Sequence, residues 1–236
     1  VHVTPSHQFP LGCVMSAGRR AQLISLARER GFFVVEDDYD SAYRYGGRPL
    51  APLLSLDADR VVYVGTFSKT LFPALRIGYA VVPGRLHGDW LRLRRYTDVQ
   101  NPVVEQVMLA EFLERGRMDM HVRRMTKLYG GKRETLLAAI ASAFGSGAEI
   151  LGDRAGLHLA IRVRGARFGR EFKDRCRDEG VLIMPCARYA IDTGEFDDVL
   201  LLGYGGIEEG DIHSGVDVLK KVTATHAEGK GGAGCR

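Results

Sequence analysis

Lys69 lies between two apolar runs, Val61 to Val64 before it and Ile77 to Val82 after it, separated by Gly65 and the irregular polar stretch Thr66 to Pro73. The pattern reads as two buried strands joined by a turn that carries the lysine. With Phe67, Leu71, Phe72 and Pro73 around it, the ammonium must reach outward or lose its charge, and burial favours the neutral amine, which makes Schiff bases. An unreactive loop lysine has the same periodicity. A second stretch, Gly31 to Asp40 (GFFVVEDDYD), reads as a buried strand over Phe32 to Val35 ending in carboxylates. Ligands in open α/β sheets bind beyond the carboxyl ends of strands, where Asp37 falls. A pyridoxal cofactor needs such a pair: a lysine to condense with its aldehyde, and an acid to keep its ring nitrogen protonated.

The segments TPSHQFPLG (Thr4 to Gly12), EDDYDSAYRYGGRP (Glu36 to Pro49) and GTFSKTLFPALRIGY (Gly65 to Tyr79) follow one another in that order. On these motifs the chain, from Val1 to about Ala224, resembles the aminotransferase-like half of MocR/GabR-type transcriptional regulators. Those proteins join a winged helix-turn-helix reader to a fold-type-I pyridoxal-phosphate domain. The resemblance implies an α/β chain of the PLP-dependent transferase fold type I. It places part of a large, mostly parallel-sheet domain over residues 1–117, a linking helix and small α+β C-terminal domain over 118–225, and a disordered tail over 226–236.

The resemblance also implies pyridoxal 5'-phosphate as cofactor, with Lys69 carrying the internal aldimine and a small amino compound displacing it to form an external one. Asp37 then faces the ring nitrogen and Tyr39 donates to the phenolic oxygen. Thr66, Ser68 and Arg76 hold the phosphate, His7 and Gln8 border the ring, and Arg188 grips an amino-acid carboxylate. A free-standing class I/II aminotransferase, passing an amino group from an amino acid to a 2-oxo acid, would use the same residues. A homodimer is expected by the same analogy, with DNA contacted only through a winged helix-turn-helix outside this sequence. No segment matches the glycine-containing helix start that completes the phosphate cradle, or the residue that stacks on the ring. The chain starts at Val1, inside what reads as a strand, so a fragment is expected.

The residues themselves leave alternatives. Asp-X-Tyr spacing puts Asp37 and Tyr39 on one side of an extended strand end, leaving Asp38 to a cap or the surface. Arg76 can fork onto a phosphate or pair with a carboxylate. His7 and Gln8, in a loop that Pro5 and Pro10 keep irregular, can bond a ligand or satisfy backbone. Alternation places His158, Arg162 and Arg164 on strand faces, and Cys186 reads as a filler residue.

These groups need elements to position them. Ser16 caps a helix to about Arg30 with Leu23, Leu26 and Ala27 on one face, and Gly31 stops it. Arg85 to Tyr96 is a basic helix bearing Trp90, and Pro102 to about Arg115 is a helix with Val103, Val107 and Ala110 inward. A long amphipathic helix spans about Met118 to Phe144. Beyond it the sequence reads as strands over Leu157 to Val163, Val181 to Met184 and Val199 to Leu202, with helices over Phe168 to Glu179 and from Asp211 to about Ala224, a helix-on-antiparallel-sheet unit.

Composition narrows the function classes. The 236 residues can bury a sizeable core. The formal net charge is only +4, and the basic residues are interleaved with acids, which fits solvated helix faces and disfavours direct DNA binding by this chain. No run approaches a membrane span. Cys13, Cys176, Cys186 and Cys235 have neither zinc-ligand nor disulfide-framework spacing. No signal peptide opens the sequence, and the cytoplasm is expected.

Overall fold

A computed structural model describes residues 1–46, 50–98, 101–192 and 194–231, and the side chains through residue 225. The motif residues Gly47, Arg48 and Pro49, and Cys235, lie outside the described residues. The chain forms two compact units, Val1–Phe9 with Cys13–Met125, and Pro10–Gly12 with Thr126–Arg236.

The first unit is built on a four-stranded sheet in spatial order β1 (His2–Val3), β2 (Val34–Asp38), β3 (Val61–Thr66) and β4 (Gly78–Val81). The first three strands are parallel and β4 runs antiparallel to β3. Helix α1 (Ala17–Arg30) begins where the Ser16 side chain accepts from the Arg19 amide and ends at Gly31, whose φ of 76° suits glycine. Its Ile24 and Ala27 pack with Val34, Leu53 and Val61 as one core. Leu26, expected inward, is exposed, because the face that meets the sheet runs through Arg20, Ile24 and Ala27. Gly65, expected to end the lysine strand, is inside β3, paired with Tyr79.

Helices α2 (Gly84–Thr97), α3 (Val103–Glu114) and α4 (Arg117–Phe144) follow. α4 passes through Gly130 and Gly131 as one unbroken helix of 28 residues. Two further expectations are corrected. β4 is exposed along its whole length, so the lysine is not flanked by two buried strands. In α3, Val103, Val107 and Ala110 are all exposed and Leu109 is the buried residue. Periodicity identifies residues that share a face but not whether anything covers it.

The second unit carries an antiparallel sheet in the order β5 (Ala148–Leu151), β6 (His158–Val163), β8 (Val199–Gly203) and β7 (Met184–Pro185). Ala160, Cys186, Val199 and Leu201 form a core against which Leu11, Leu151 and Phe196 pack. Cys186 is thus a filler residue, its thiol pushed up to about 11 by burial. His158 lies on a strand, as expected, and is buried there, since β6 is a central strand that hides nearly every side chain. Helix α5 (Arg170–Asp178) precedes Gly180, but of the expected Val181 to Met184 strand only Met184 pairs with β8, together with Pro185 just beyond it. Helix α6 (Glu209–Gly231) starts before Asp211 and continues past Ala224, so residues 226–231 are helical rather than disordered. Among the described residues, no helix is long and apolar enough to cross a membrane.

Candidate functional site

Parallel pairing of β2 with β3 aligns Asp37 with Val64 and Asp38 with Gly65, so the carboxyl ends of the two strands sit side by side. Asp37 and Tyr39 finish one strand; Thr66, Ser68 and Lys69 continue the other. The Phe67 amide donates to the Ile77 carbonyl at 3.1 Å, closing a loop that holds Ser68, Lys69 and Arg76. The Thr66 hydroxyl accepts from the Ser68 amide at 3.1 Å and fixes the start of that loop. Arg76, at its end, has a φ of 54°, a left-handed conformation that is unfavourable for a residue with a Cβ. Lys69 and Arg76 are both exposed, and Thr66 and Ser68 half-buried. Exposure removes the expected choice for Lys69 between snorkelling and neutralisation: its stem is already in solvent.

Asp37 is one-third exposed, its side chain at 35 %, and its Oδ2 lies 3.2 Å from His2 Nε2. No local pattern in the sequence marks His2. Only the register, which sets His2 beside Val35, brings it to a carboxylate two residues further along. Asp38 is not a surface charge: it accepts the Tyr63 hydroxyl at 2.5 Å from the neighbouring strand. Burial above all, then this carboxylate, raises the Tyr63 phenol well above its ordinary range.

The Tyr39 hydroxyl is buried and has no hydrogen-bond partner among the described residues. Burial pushes its pKa far up, and the Asp40 and Asp37 charges push it further, so the phenol keeps its proton. His7 is buried beside it, with ring centroids 6.4 Å apart and planes 28° from parallel. His7 Nδ1 lies 3.4 Å from Asp40 Oδ2, both side chains being almost fully buried. The Gln8 side-chain amide donates to the Phe9 carbonyl, and Gln8 lines an open cleft of about 1150 Å³ with His2, Val3, Pro5, Met15 and Leu23, which neither Asp37 nor Lys69 lines. Arg188 belongs to the second unit, exposed on the short turn Cys186–Tyr189 after β7. Arg162 faces Glu149 at 3.7 Å and Asp198 at 3.4 Å, consistent with a solvated strand face.

The first unit therefore gathers a lysine, an acid, hydroxyls and an arginine at the ends of two neighbouring strands. The donor set suits pyridoxal phosphate: a nucleophilic amine, a carboxylate for a ring nitrogen, hydroxyls and a guanidinium for a phosphate, and a buried, unpartnered phenol.

No family model matches the chain. Its fold is nonetheless that of the fold-type-I PLP-dependent aminotransferases. The multiple substrate aminotransferase of Thermococcus profundus superposes with a TM-score of 0.87 at 26 % identity, covering 96 % of this chain and 56 % of that one. The kynurenine aminotransferase of Pyrococcus horikoshii, solved with PMP, also gives 0.87 at 26 % identity over 95 % of this chain and 56 % of that one. Within that class, its relatives in sequence include MocR-type helix-turn-helix regulators, about half of whose length it matches. It is 39 % identical over 228 residues to a Bacillus subtilis protein named as the uncharacterized HTH-type transcriptional regulator YhdI, covering 95 % of this chain and 48 % of the relative. It is 35 % identical over 226 residues to the probable rhizopine catabolism regulatory protein MocR of Rhizobium meliloti, covering 93 % and 45 %. The chain spans about half the length of the curated relatives it matches.

Proposed function

We propose that this chain is the cofactor- and effector-binding portion of a MocR/GabR-type transcriptional regulator, and that it binds pyridoxal 5'-phosphate and a small amino compound. The observation that carries the reading is the side-by-side placement of Asp37 with Tyr39 and of Thr66, Ser68 and Lys69 at the ends of paired parallel strands. When bound, the cofactor supplies an aldehyde that condenses with amines and a protonated ring that draws electrons.

The residues divide the work. Lys69 would supply the amine that anchors the cofactor, whose aldehyde also condenses with an amino effector. Asp37 accepts the ring nitrogen's proton in a hydrogen bond and holds it there, and His2 orients the carboxylate. The Tyr39 hydroxyl, protonated because it is buried, donates to the phenolic oxygen. Thr66, Ser68 and Arg76 bind the phosphate. His7 lies against Tyr39, and Gln8 borders the same loop. Arg188 is assigned to the carboxylate of an amino-acid effector. Effector binding biases a conformational equilibrium, and the whole protein's DNA affinity changes with it through a helix-turn-helix reader. A homodimer in the cytoplasm is the proposed working form. The regulator reading is preferred to a free-standing aminotransferase because the 39 % and 35 % identical relatives are named as regulators.

Borohydride reduction of the chain with added pyridoxal phosphate, followed by peptide mass spectrometry, tests the assignment. A pyridoxyl group on Lys69, lost in Lys69→Ala along with the Schiff-base absorbance, is expected. Labelling spread over other lysines, or none on Lys69 in folded protein, would reject it. Incubation with amino acids then separates regulator from enzyme: exchange without accumulating 2-oxo acid supports the regulator.

A further inference from the structure

The residue after Lys69 has its backbone carbonyl held twice. The Tyr43 hydroxyl donates to the Thr70 carbonyl at 3.1 Å, and His121 Nε2 approaches the same oxygen at 2.8 Å. A carbonyl offers two lone pairs, so both are filled. Because the acceptor is a carbonyl, Nε2 must carry the proton, and the neutral Nε2–H tautomer and the imidazolium both provide it.

The two donors come from outside the turn. Tyr43 lies in the segment after β2 and is 1 % exposed, and His121 is a half-buried residue of α4. The turn is also closed from within: the Leu71 amide donates to the Phe67 carbonyl at 2.8 Å, and the Thr70 hydroxyl reaches the same oxygen at 3.4 Å. Lys69 thus combines an exposed side chain with a neighbouring backbone held by Tyr43, by His121 and from within the turn.

We propose that Tyr43 and His121 are positioning residues for Lys69, fixing the backbone from which its amine reaches the cofactor. This rests on the cofactor reading above. An amine displaced by an effector must stay close enough to return. A four-carbon stem swinging from a fixed root keeps it at high effective concentration, whereas a loose root dilutes it.

Hydrogen exchange without ligand, and the rate of borohydride trapping with pyridoxal phosphate, are to be measured on the whole chain and on Tyr43→Phe, His121→Ala and His121→Gln. Tyr43→Phe keeps the buried ring, and His121→Gln keeps an N–H donor. The Leu71 amide is expected to exchange about fivefold faster in Tyr43→Phe and His121→Ala, the factor one ordinary hydrogen bond is worth. Amides of β3 should be unchanged, trapping at Lys69 should slow by a similar factor, and His121→Gln should restore most of both. Unchanged Leu71 exchange, or faster exchange with trapping as in the parent, overturns the proposal alone. If the parent itself is not trapped at Lys69, the cofactor reading fails and the positioning role falls with it, any exchange difference then marking a purely structural clamp.

Discussion

The guanidinium of Arg20 and the carboxylate of Glu36 are both buried and lie 3.8 Å apart, yet each spends its hydrogen bonds on backbone. Arg20 donates to the carbonyls of Pro5 at 2.8 Å, Met15 at 3.1 Å and Ala51 at 3.0 Å. Glu36 accepts the Leu53 and Leu54 amides at 2.9 and 3.0 Å, capping the short helical turn Leu53–Ser55. One ion pair therefore ties α1, β2, the β1–α1 segment and the β2–β3 segment of the first unit together.

Arg20→Met should destabilise the chain by about 3–5 kcal/mol in urea unfolding, because it strands a buried carboxylate and three carbonyls. Adding Glu36→Gln should cost less than the sum of the single changes. Burial first of all raises the Glu36 carboxyl above its ordinary value of 4.5, against the pull of the two amides and Arg20. An acid with a raised folded-state pKa binds more protons folded than unfolded between its unfolded and folded values. Its contribution is complete below pH 4.5 and declines as pH rises through the folded-state value, and Glu36→Gln should flatten that part of the stability profile.

Tyr39→Phe should separate stability from binding. Its hydroxyl is buried without a partner among the described residues, so deleting the oxygen should leave stability unchanged or higher by about 1 kcal/mol. Retention of pyridoxal phosphate on dialysis should weaken. In the parent, Tyr39 and Tyr63 both have phenols raised above the ordinary 10.0, so their contribution to stability is complete below pH 10 and is lost as pH climbs further. A phenolate absorbance titration should show these two ionising only with unfolding. Their early ionisation in folded protein would contradict the burial argument.

Gly65→Ala should be destabilising by about 1–3 kcal/mol, the range for overpacking. A Cβ there would lie 2.6 Å from the Tyr79 hydroxyl oxygen, and Tyr79 is itself packed against Phe67 and Tyr63 at centroid distances of 5.5 and 6.1 Å. The double change Gly65→Ala with Tyr79→Ala should lose less than the sum of its parts. Additive losses in thermal melts would show that the ring gives way freely.

Much of this was readable from local signals. Ser16 and Gly31 mark the ends of α1, the valines of Val61 to Val64 mark β3, and the carboxylates after Val35 mark a strand end, because caps and runs act within a few residues. What escaped depends on pairing at long range. His2 reaches Asp37 only through the β1–β2 register, Asp38 is satisfied only by Tyr63 on the next strand, and Glu36 is buried only because Leu53 and Leu54 come back to it. The exposed faces of β4 and α3 show the converse limit. Apolar patterning in Val103 and Val107 reports a shared side and leaves its covering undetermined.

The left-handed backbone of Arg76 places two demands on one position. Glycine would relieve a conformational penalty of about 1–2 kcal/mol there and would also delete the loop's guanidinium. A search for thermostable variants would thus be drawn toward the substitution that removes the proposed anion-binding group, so stability screens alone would select against function at this residue.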